Sequence, residues 1–289
     1  MSVDLLEIPA GPFTFTAHAA GRRDGRLVVL LHGFPQSSFQ WRHQMAVLAA
    51  AGHRAVAFDQ RGYSPGARPD GVEHYRAEHL VADVLSVVDE LGGHRFDVVG
   101  HDWGGAVAWL VAARYPQRVR TLTAVSMPHP AAFAAALLGG DEEQSSKSAY
   151  IAVLRAQGAA EQLLLAGDGE GLRRVFAATG HPDPEAGTGE YVKVLSQPGA
   201  LTAALNWYRA LSEHDVAGLT GRLRPVTVPT LYVWGEDDAA LGRAAAEASG
   251  DHVEGPYRFV ALPGVGHWIP EEAPDLLGDL LLEHLAAHS

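Results

Sequence analysis

Cysteine is absent from the 289-residue chain, which excludes disulfide frameworks and thiolate chemistry. Lysine is scarce, with Lys147 and Lys193 alone beside abundant arginine and alanine; this is a compositional bias without functional content. No apolar run reaches the roughly 18–20 residues of a membrane span. The opening MSVDLLEIPAG lacks the basic n-region and apolar core of a signal peptide. The expectation is a soluble, cytoplasmic protein that does not engage a membrane. A formal charge of −12 leaves no basic stripe for phosphates, so no nucleic acid partner is expected. No two histidines stand at a ligand spacing with a carboxylate base, which argues against a metal. The GVG at 264–266 precedes a histidine loop, not a strand-to-helix phosphate turn. No cofactor is expected.

What is present is ample core material: 47% of residues are hydrophobic and 19% charged, without the signature of disorder. FTFTAH (13–18), LVVLL (27–31), RAVAF (54–58), FDVVG (96–100) and TLTAVS (121–126) read as strands. Helical patterns lie between them at about 38–51, 77–92 and 104–115. The alternation resumes with TLYVW (230–234), YRFVAL (257–262) and a helix at about 270–287. Strand and helix in alternation predict the α/β class, with a mostly parallel central sheet flanked by helices. Residues 129–222 hold no convincing strand and read as helices broken at Gly139-Gly140, at Gly167, Gly169 and Gly171, and from His181 to Gly189. The expected organisation is a core of residues 1–128 and 223–289 with a helical lid, or cap, inserted over 129–222.

The stretch DVVGHDWGG at 97–105 ends a buried-looking strand with a carboxylate, Asp102, in the frame G-x-Nu-x-G of a nucleophile elbow. Such a turn lifts its central side chain over the carboxyl end of the sheet, and the helix N-terminus that follows favours an anion. A helix-capping aspartate would explain the residue alone; the spacing of its partners adds a second reason. Chains built on this elbow run nucleophile, acid, histidine. TLYVW is followed by Glu236, Asp237 and Asp238, and YRFVALPGVG is followed by His267. Both fall at carboxyl ends of strands, where open α/β sheets bind ligands. Upstream, His32-Gly33-Phe34-Pro35 ends a central strand, and the Phe34 N–H can join that of Trp103 to hold an oxyanion. His32 reads as a loop anchor. Trp41, Trp109 and Trp234 read as packing residues, His43, His53 and His94 as surface groups, and His101 as pointing into the sheet side of the turn.

With these residues in view, the chain resembles the α/β-hydrolase superfamily, and within it the epoxide hydrolases with an aspartate nucleophile. The resemblance covers nearly the whole chain. It rests on HGFPQSSFQWR (32–42), FDQRGYSPGARP (58–69), GHDWGG (100–105), WGEDD (234–238), PGVGHW (263–268), SAYIAVLR (148–155) and ALNWYRAL (204–211). It implies the α/β-hydrolase fold and a small-molecule epoxide as substrate. It places the triad acid at the fifth position of WGxxD, Asp238, where order along the chain leaves Asp237 open. It also implies two lid tyrosines that hydrogen-bond to the epoxide oxygen. Tyr208 in NWYR matches the second, and Tyr150 in SAY is the best placed first, with Tyr191 as a substitute. Ile151, Ala152 and Val153 stand where the family commonly has aromatic residues.

The chemistry points the same way. A carboxylate attacking an ester would form an anhydride, whereas against a carbon bearing a leaving group it forms an alkyl ester. Water deprotonated by His267, with Asp238 orienting the imidazole, can then hydrolyse that ester against the Phe34 and Trp103 N–H groups. An opening epoxide needs a proton for its alkoxide, which phenols supply; a departing halide needs none. Haloalkane dehalogenases also keep a tryptophan after the nucleophile, like Trp103, but pair it with a second nitrogen donor that the Phe34 side chain cannot replace. Fluoroacetate dehalogenases place an arginine there. Epoxide hydrolysis leads, with dehalogenation as the alternative, ahead of a non-catalytic ligand binder. An apolar lid face would serve a substrate entrance or a partner subunit, so a homodimer is among the expectations.

Overall fold

A computed structural model describes residues 3–183, 186–211 and 223–289. Its eight strands form one sheet in the order β1-β2-β4-β3-β5-β6-β7-β8. These are β1 (Asp4–Ala10), β2 (Phe13–Gly21), β3 (Leu27–Leu31), β4 (Arg54–Phe58), β5 (Phe96–His101), β6 (Val119–Val125), β7 (Thr230–Gly235) and β8 (Tyr257–Leu262). From β4 to β8 every pairing is parallel, while β1 and β2 add an antiparallel edge. The central strands are apolar runs because both faces are covered. Val29 and Leu31 belong to the core on one face, Val28 and Leu30 to that on the other. Trp41, Trp109 and Trp234 are buried in these cores.

The sequence pattern missed β1. Its apolar alternation is confined to Leu6, Ile8 and Ala10, of which only Ile8 and Ala10 are buried, so the period-2 signal is short. Pro9 argues against a central strand but is tolerated at an edge. Gly11, at φ 59°, turns the chain back so that Ala10 pairs with Phe13.

Helices α1 (Arg42–Ala50), α2 (Ala77–Glu90) and α3 (Trp103–Arg114) follow the early strands. Between β6 and β7 lie α4 (Pro130–Leu138), α5 (Glu142–Lys147), α6 (Tyr150–Arg155), α7 (Ala159–Ala178), α8 (Ala186–Leu195) and α9 (Ala200–Ala210). Gly139 and Gly140 end α4, and α7 is kinked where Ala166 through Gly169 leave helical geometry. The predicted break from His181 to Gly189 is too long, because α8 starts at Ala186. Residues 184–185 of that break, and 212–222 at the predicted end of the insertion, lie outside the described residues. The last helix, Pro274–Ala287, packs against α1. No described helix is long and apolar enough to cross a membrane.

Candidate active site

The site collects at the carboxyl edge of the sheet. β5 ends at His101, and Asp102 turns the chain into α3 with φ 51° and ψ −124°, a backbone region rarely used by a side-chain-bearing residue. Small neighbours make the turn possible. A Cβ on Gly104 would stand 2.2 Å from the Leu31 carbonyl oxygen. β3 neighbours β5, so the loop after it passes beside the carboxylate. A Cβ on Gly33 would stand 2.2 Å from Asp102 Oδ1.

That approach lets the Phe34 N–H donate to Asp102 Oδ1 at 2.8 Å. The Trp103 N–H also faces the carboxylate. Asp102 Oδ2 lies 3.6 Å from His267 Nε2, beyond an ordinary hydrogen bond. On the other side of the ring, His267 Nδ1 donates to Asp238 Oδ2 at 2.9 Å. Asp238 Oδ1 accepts from the Ala240 and Leu241 N–H groups at 2.7 and 3.0 Å. Asp238 is buried, while its neighbour Asp237 is exposed and turned away from the ring.

Burial disfavours charge on the imidazole, but the Asp238 carboxylate first, and then Asp102, overcome it and raise the His267 pKa to about 10. Burial likewise works against the Asp102 carboxylate. The His267 imidazole 3.6 Å away, together with His101 and the Trp103 N–H, holds it below the ordinary aspartate value.

Both tyrosines reach this centre from the helices between β6 and β7. Tyr208 on α9 is buried, its ring edge-on to Trp103 at 5.2 Å and to Phe34 at 5.4 Å. Its neighbour Trp207 fixes the helix by donating its indole N–H to the Arg61 carbonyl at 2.9 Å. Tyr150 opens α6 with its ring 6.4 Å from that of Tyr208. It is 40% exposed because its ring forms part of a cavity wall. Burial of the hydroxyls and the nearby carboxylates raise both phenol pKa values, so the two groups are neutral donors near pH 7. Tyr191 is elsewhere, buried against Phe176 and Phe39 at 5.5 and 6.0 Å.

The cavity holds about 890 Å³, within the range of small-molecule sites. It starts at Asp102, Tyr150 and Tyr208 and follows one face of α3, where Trp103, Ala106, Leu110, Ala113 and Arg114 line it. From the nucleophile to Arg114 the helix rises on the order of 18 Å.

Sequence reasoning missed several supporting residues. β8 lies three strands from β5, so the loop that carries His267 must cross the ends of β7 and β6. His101 Nε2 and Ser126 Oγ both donate to the His267 carbonyl at 2.8 Å and secure that crossing. Glu272 accepts from the N–H groups on either side, Gly266 at 2.7 Å and Trp268 at 2.8 Å. His32, read from the sequence as a loop anchor, does hold the Phe34 loop: Nε2 accepts from the Gln60 N–H at 3.0 Å, which leaves Nδ1–H to donate to the Gly33 carbonyl. His43 and His94 are exposed and His53 half-buried. Apart from His32, none of these supports has a sequence spacing that would announce it, though the Glu271-Glu272 pair directly after the histidine loop is visible in the sequence. Among the described residues no group of three or more histidine or acidic side chains could hold a metal.

A strained carboxylate elbow, with a buried acid and histidine on loops from later strands of one parallel sheet, defines a hydrolase of the α/β type. The family model for the alpha/beta hydrolase fold matches residues 26–274, and the chain belongs to that family. It falls among the epoxide hydrolases. It is 33% identical to epoxide hydrolase 4 of Mus musculus, over 91% of this chain and 74% of that protein. It is 30% identical to epoxide hydrolase A of Mycobacterium tuberculosis, over 92% of each. The crystal structure of epoxide hydrolase A from Mycobacterium thermoresistibile superimposes with a TM-score of 0.86 at 29% identity, covering 100% of this chain and 99% of that one.

Proposed function

We propose that the protein opens an epoxide to a vicinal diol through an alkyl ester on Asp102. The observation that carries this reading is the asymmetry of the carboxylate. Oδ1 is engaged by the Phe34 N–H at 2.8 Å, while Oδ2 faces His267 Nε2 at 3.6 Å. Oδ2 is therefore the free nucleophile. It forms a bond to an epoxide carbon as the C–O bond breaks, and Tyr150 or Tyr208 gives the alkoxide its proton. The ester carbonyl oxygen is then Oδ1, already held by the Phe34 N–H, with the Trp103 N–H facing the same carboxylate. Water attacks Asp102 Cγ, gives one proton to His267, and the charge develops on Oδ1 where those donors wait. Collapse breaks the Cγ–Oδ2 bond and releases the diol. The two protons of the water end on the product alkoxide and the phenolate, and Asp102 regains its charge.

Alkylation also prepares the base. Asp102 and Asp238 together hold His267 near a pKa of about 10. Esterification neutralises Asp102, so one of the two anions that favour the imidazolium disappears. Its pKa falls, so the ring gives up its proton more readily and is available as a neutral base when water must be activated. Asp238 keeps Nδ1–H oriented throughout.

Residues 129–222 are read as the cap that brings the phenols over Asp102, on a core of 1–128 and 223–289. The apolar stripe along α3 suits epoxides carrying a long or bulky apolar substituent. Dehalogenation is the competing reading. The Phe34 side chain packs against Tyr208 and offers no N–H to a halide. The test mixes a His267→Gln variant with a terminal aryl epoxide and follows intact mass. An adduct of the epoxide's mass on Asp102 is expected. Its absence across an epoxide panel, with halide release by the wild type from haloalkanes, would overturn the reading.

A further inference from the structure

The acid loop after β7 is held on two sides. Toward the site, the Ala240 and Leu241 N–H groups point at Asp238 Oδ1. Away from it, the loop's carbonyls meet α5. Gln144 is fully buried; its Nε2 donates to the Ala240 carbonyl at 3.1 Å and its Oε1 accepts from the Gly242 N–H at 2.9 Å. Lys147 Nζ donates to the Asp238 carbonyl at 2.6 Å and stays paired with Glu143 at 2.8 Å. The same amide of Gln144 donates to Ser148 Oγ at 2.9 Å, two residues before Tyr150. Asp141 sets the start of α5 by accepting from the Gln144 N–H at 2.7 Å.

We propose that Gln144 is a positioning residue that ties the carboxylate partner of His267 to the phenol of Tyr150. One buried amide thereby sets the geometry of both half-reactions. Tyr150 is 40% exposed, so packing alone does not hold it. Its position follows from the turn that joins α5 to α6, and Gln144 anchors that turn to the acid loop. Asp238 needs the same anchor, because its Oδ1 is oriented by amides whose own carbonyls rest on α5. Replacing Gln144 by an apolar side chain leaves the buried Gly242 N–H and the part-buried Ala240 carbonyl without this partner, and the loop must shift to satisfy them. Displacement of the order of an ångström at reacting groups slows chemistry by about 100-fold.

The inference rests on the ester mechanism proposed above, and the experiment separates the two. Enzyme in excess over epoxide is acid-quenched at intervals, and intact mass reports the rise and decay of the ester. For Gln144→Leu both ester formation and ester hydrolysis are expected to slow by about 10- to 100-fold, with folding checked by thermal melting. Gln144→Glu supplies the readout that packing would not move. Protonated, the introduced carboxyl can donate to the Ala240 carbonyl as the amide does. Ionised, it sets an anion against that oxygen and beside Asp238. Both rates, relative to wild type, should therefore be highest at acid pH and fall as pH rises. Should Gln144→Leu fail to fold, the pH comparison within Gln144→Glu decides alone. Slowing of a single step, or a Gln144→Glu profile parallel to wild type, overturns the positioning role. A wild type that forms no ester at all overturns the functional reading on which it stands.

Discussion

Asp102 and His267 face each other across 3.6 Å without a hydrogen bond between them, although each shifts the other's pKa, Asp102 down and His267 up. In the proposed mechanism this gap is what lets Oδ2 attack and Nε2 later meet a water.

Removing the charge of Asp102 should therefore release the imidazole. In Asp102→Asn the His267 pKa is expected to fall below its wild-type value of about 10, read from imidazole resonances by NMR. A pKa raised on folding adds stability that is full below the unfolded value near 6.5 and is lost as pH rises toward about 10. Denaturant midpoints should accordingly drop between those limits in the wild type and drop less in Asp102→Asn. An unchanged imidazole titration would show that Asp238 alone holds the proton.

Gly33→Ala tests the fit of the loop against the elbow. The added methyl would stand 2.2 Å from Asp102 Oδ1, so the Phe34 N–H must withdraw from the oxyanion position. A loss of about 100- to 1000-fold in turnover is expected, measured as diol formation. Near-wild-type turnover would mean that the N–H is not needed.

Tyr150→Phe and Tyr208→Phe should each slow ester formation, and the double variant should stop it, with an expected factor of about 100 or more. Ester hydrolysis should change far less, because the proposed mechanism uses the phenols on the epoxide oxygen and not on Cγ. Equal slowing of both steps would remove the proton-donor role.

Glu271 joins the helices after β6 to the histidine loop. It accepts from His181 Nε2 at 2.7 Å and Arg42 Nη1 at 2.6 Å, with the His181 and Glu271 side chains 0% and 1% exposed. Glu271→Ala strands a buried imidazole and half a guanidinium pair, for an expected loss of about 3 kcal/mol in urea unfolding. Burial opposes the Glu271 charge, but His181 and Arg42 hold its pKa below the ordinary 4.5. Its contribution is thus present above that value and lost as pH falls through the lower folded one. The wild type and Glu271→Ala should converge in stability toward acid pH; a constant gap would contradict the pairing.

Leu110 lies midway along the α3 face of the cavity. Leu110→Trp should raise KM for epoxides with large apolar substituents while small epoxides react as before. Equal effects on both would mean that substrates lie elsewhere.

Much of this was legible because the signals are local. A strand shows as a short apolar or alternating run bounded by turn residues, and seven of the eight described strands announce themselves that way. The elbow declares itself through Gly100 and Gly104 around Asp102, since only small residues fit where a Cβ would meet backbone at 2.2 Å. β1 stayed hidden because an edge strand needs only two inward residues, Ile8 and Ala10, and can keep a proline.

The sequence by itself determined the alternation of strand and helix, the order of a carboxylate elbow, an acidic loop and a histidine loop, and a carboxylate at the elbow in place of a hydroxyl, because periodicity and residue chemistry are read along the chain. Tertiary structure alone decided which oxygen of Asp102 is free, that Asp238 and not Asp237 meets His267, and that Gln144, 94 residues before Asp238, braces its loop. These depend on distances between segments far apart in sequence, and such distances exist only once β3, β5, β7 and β8 lie side by side with their carboxyl ends in register.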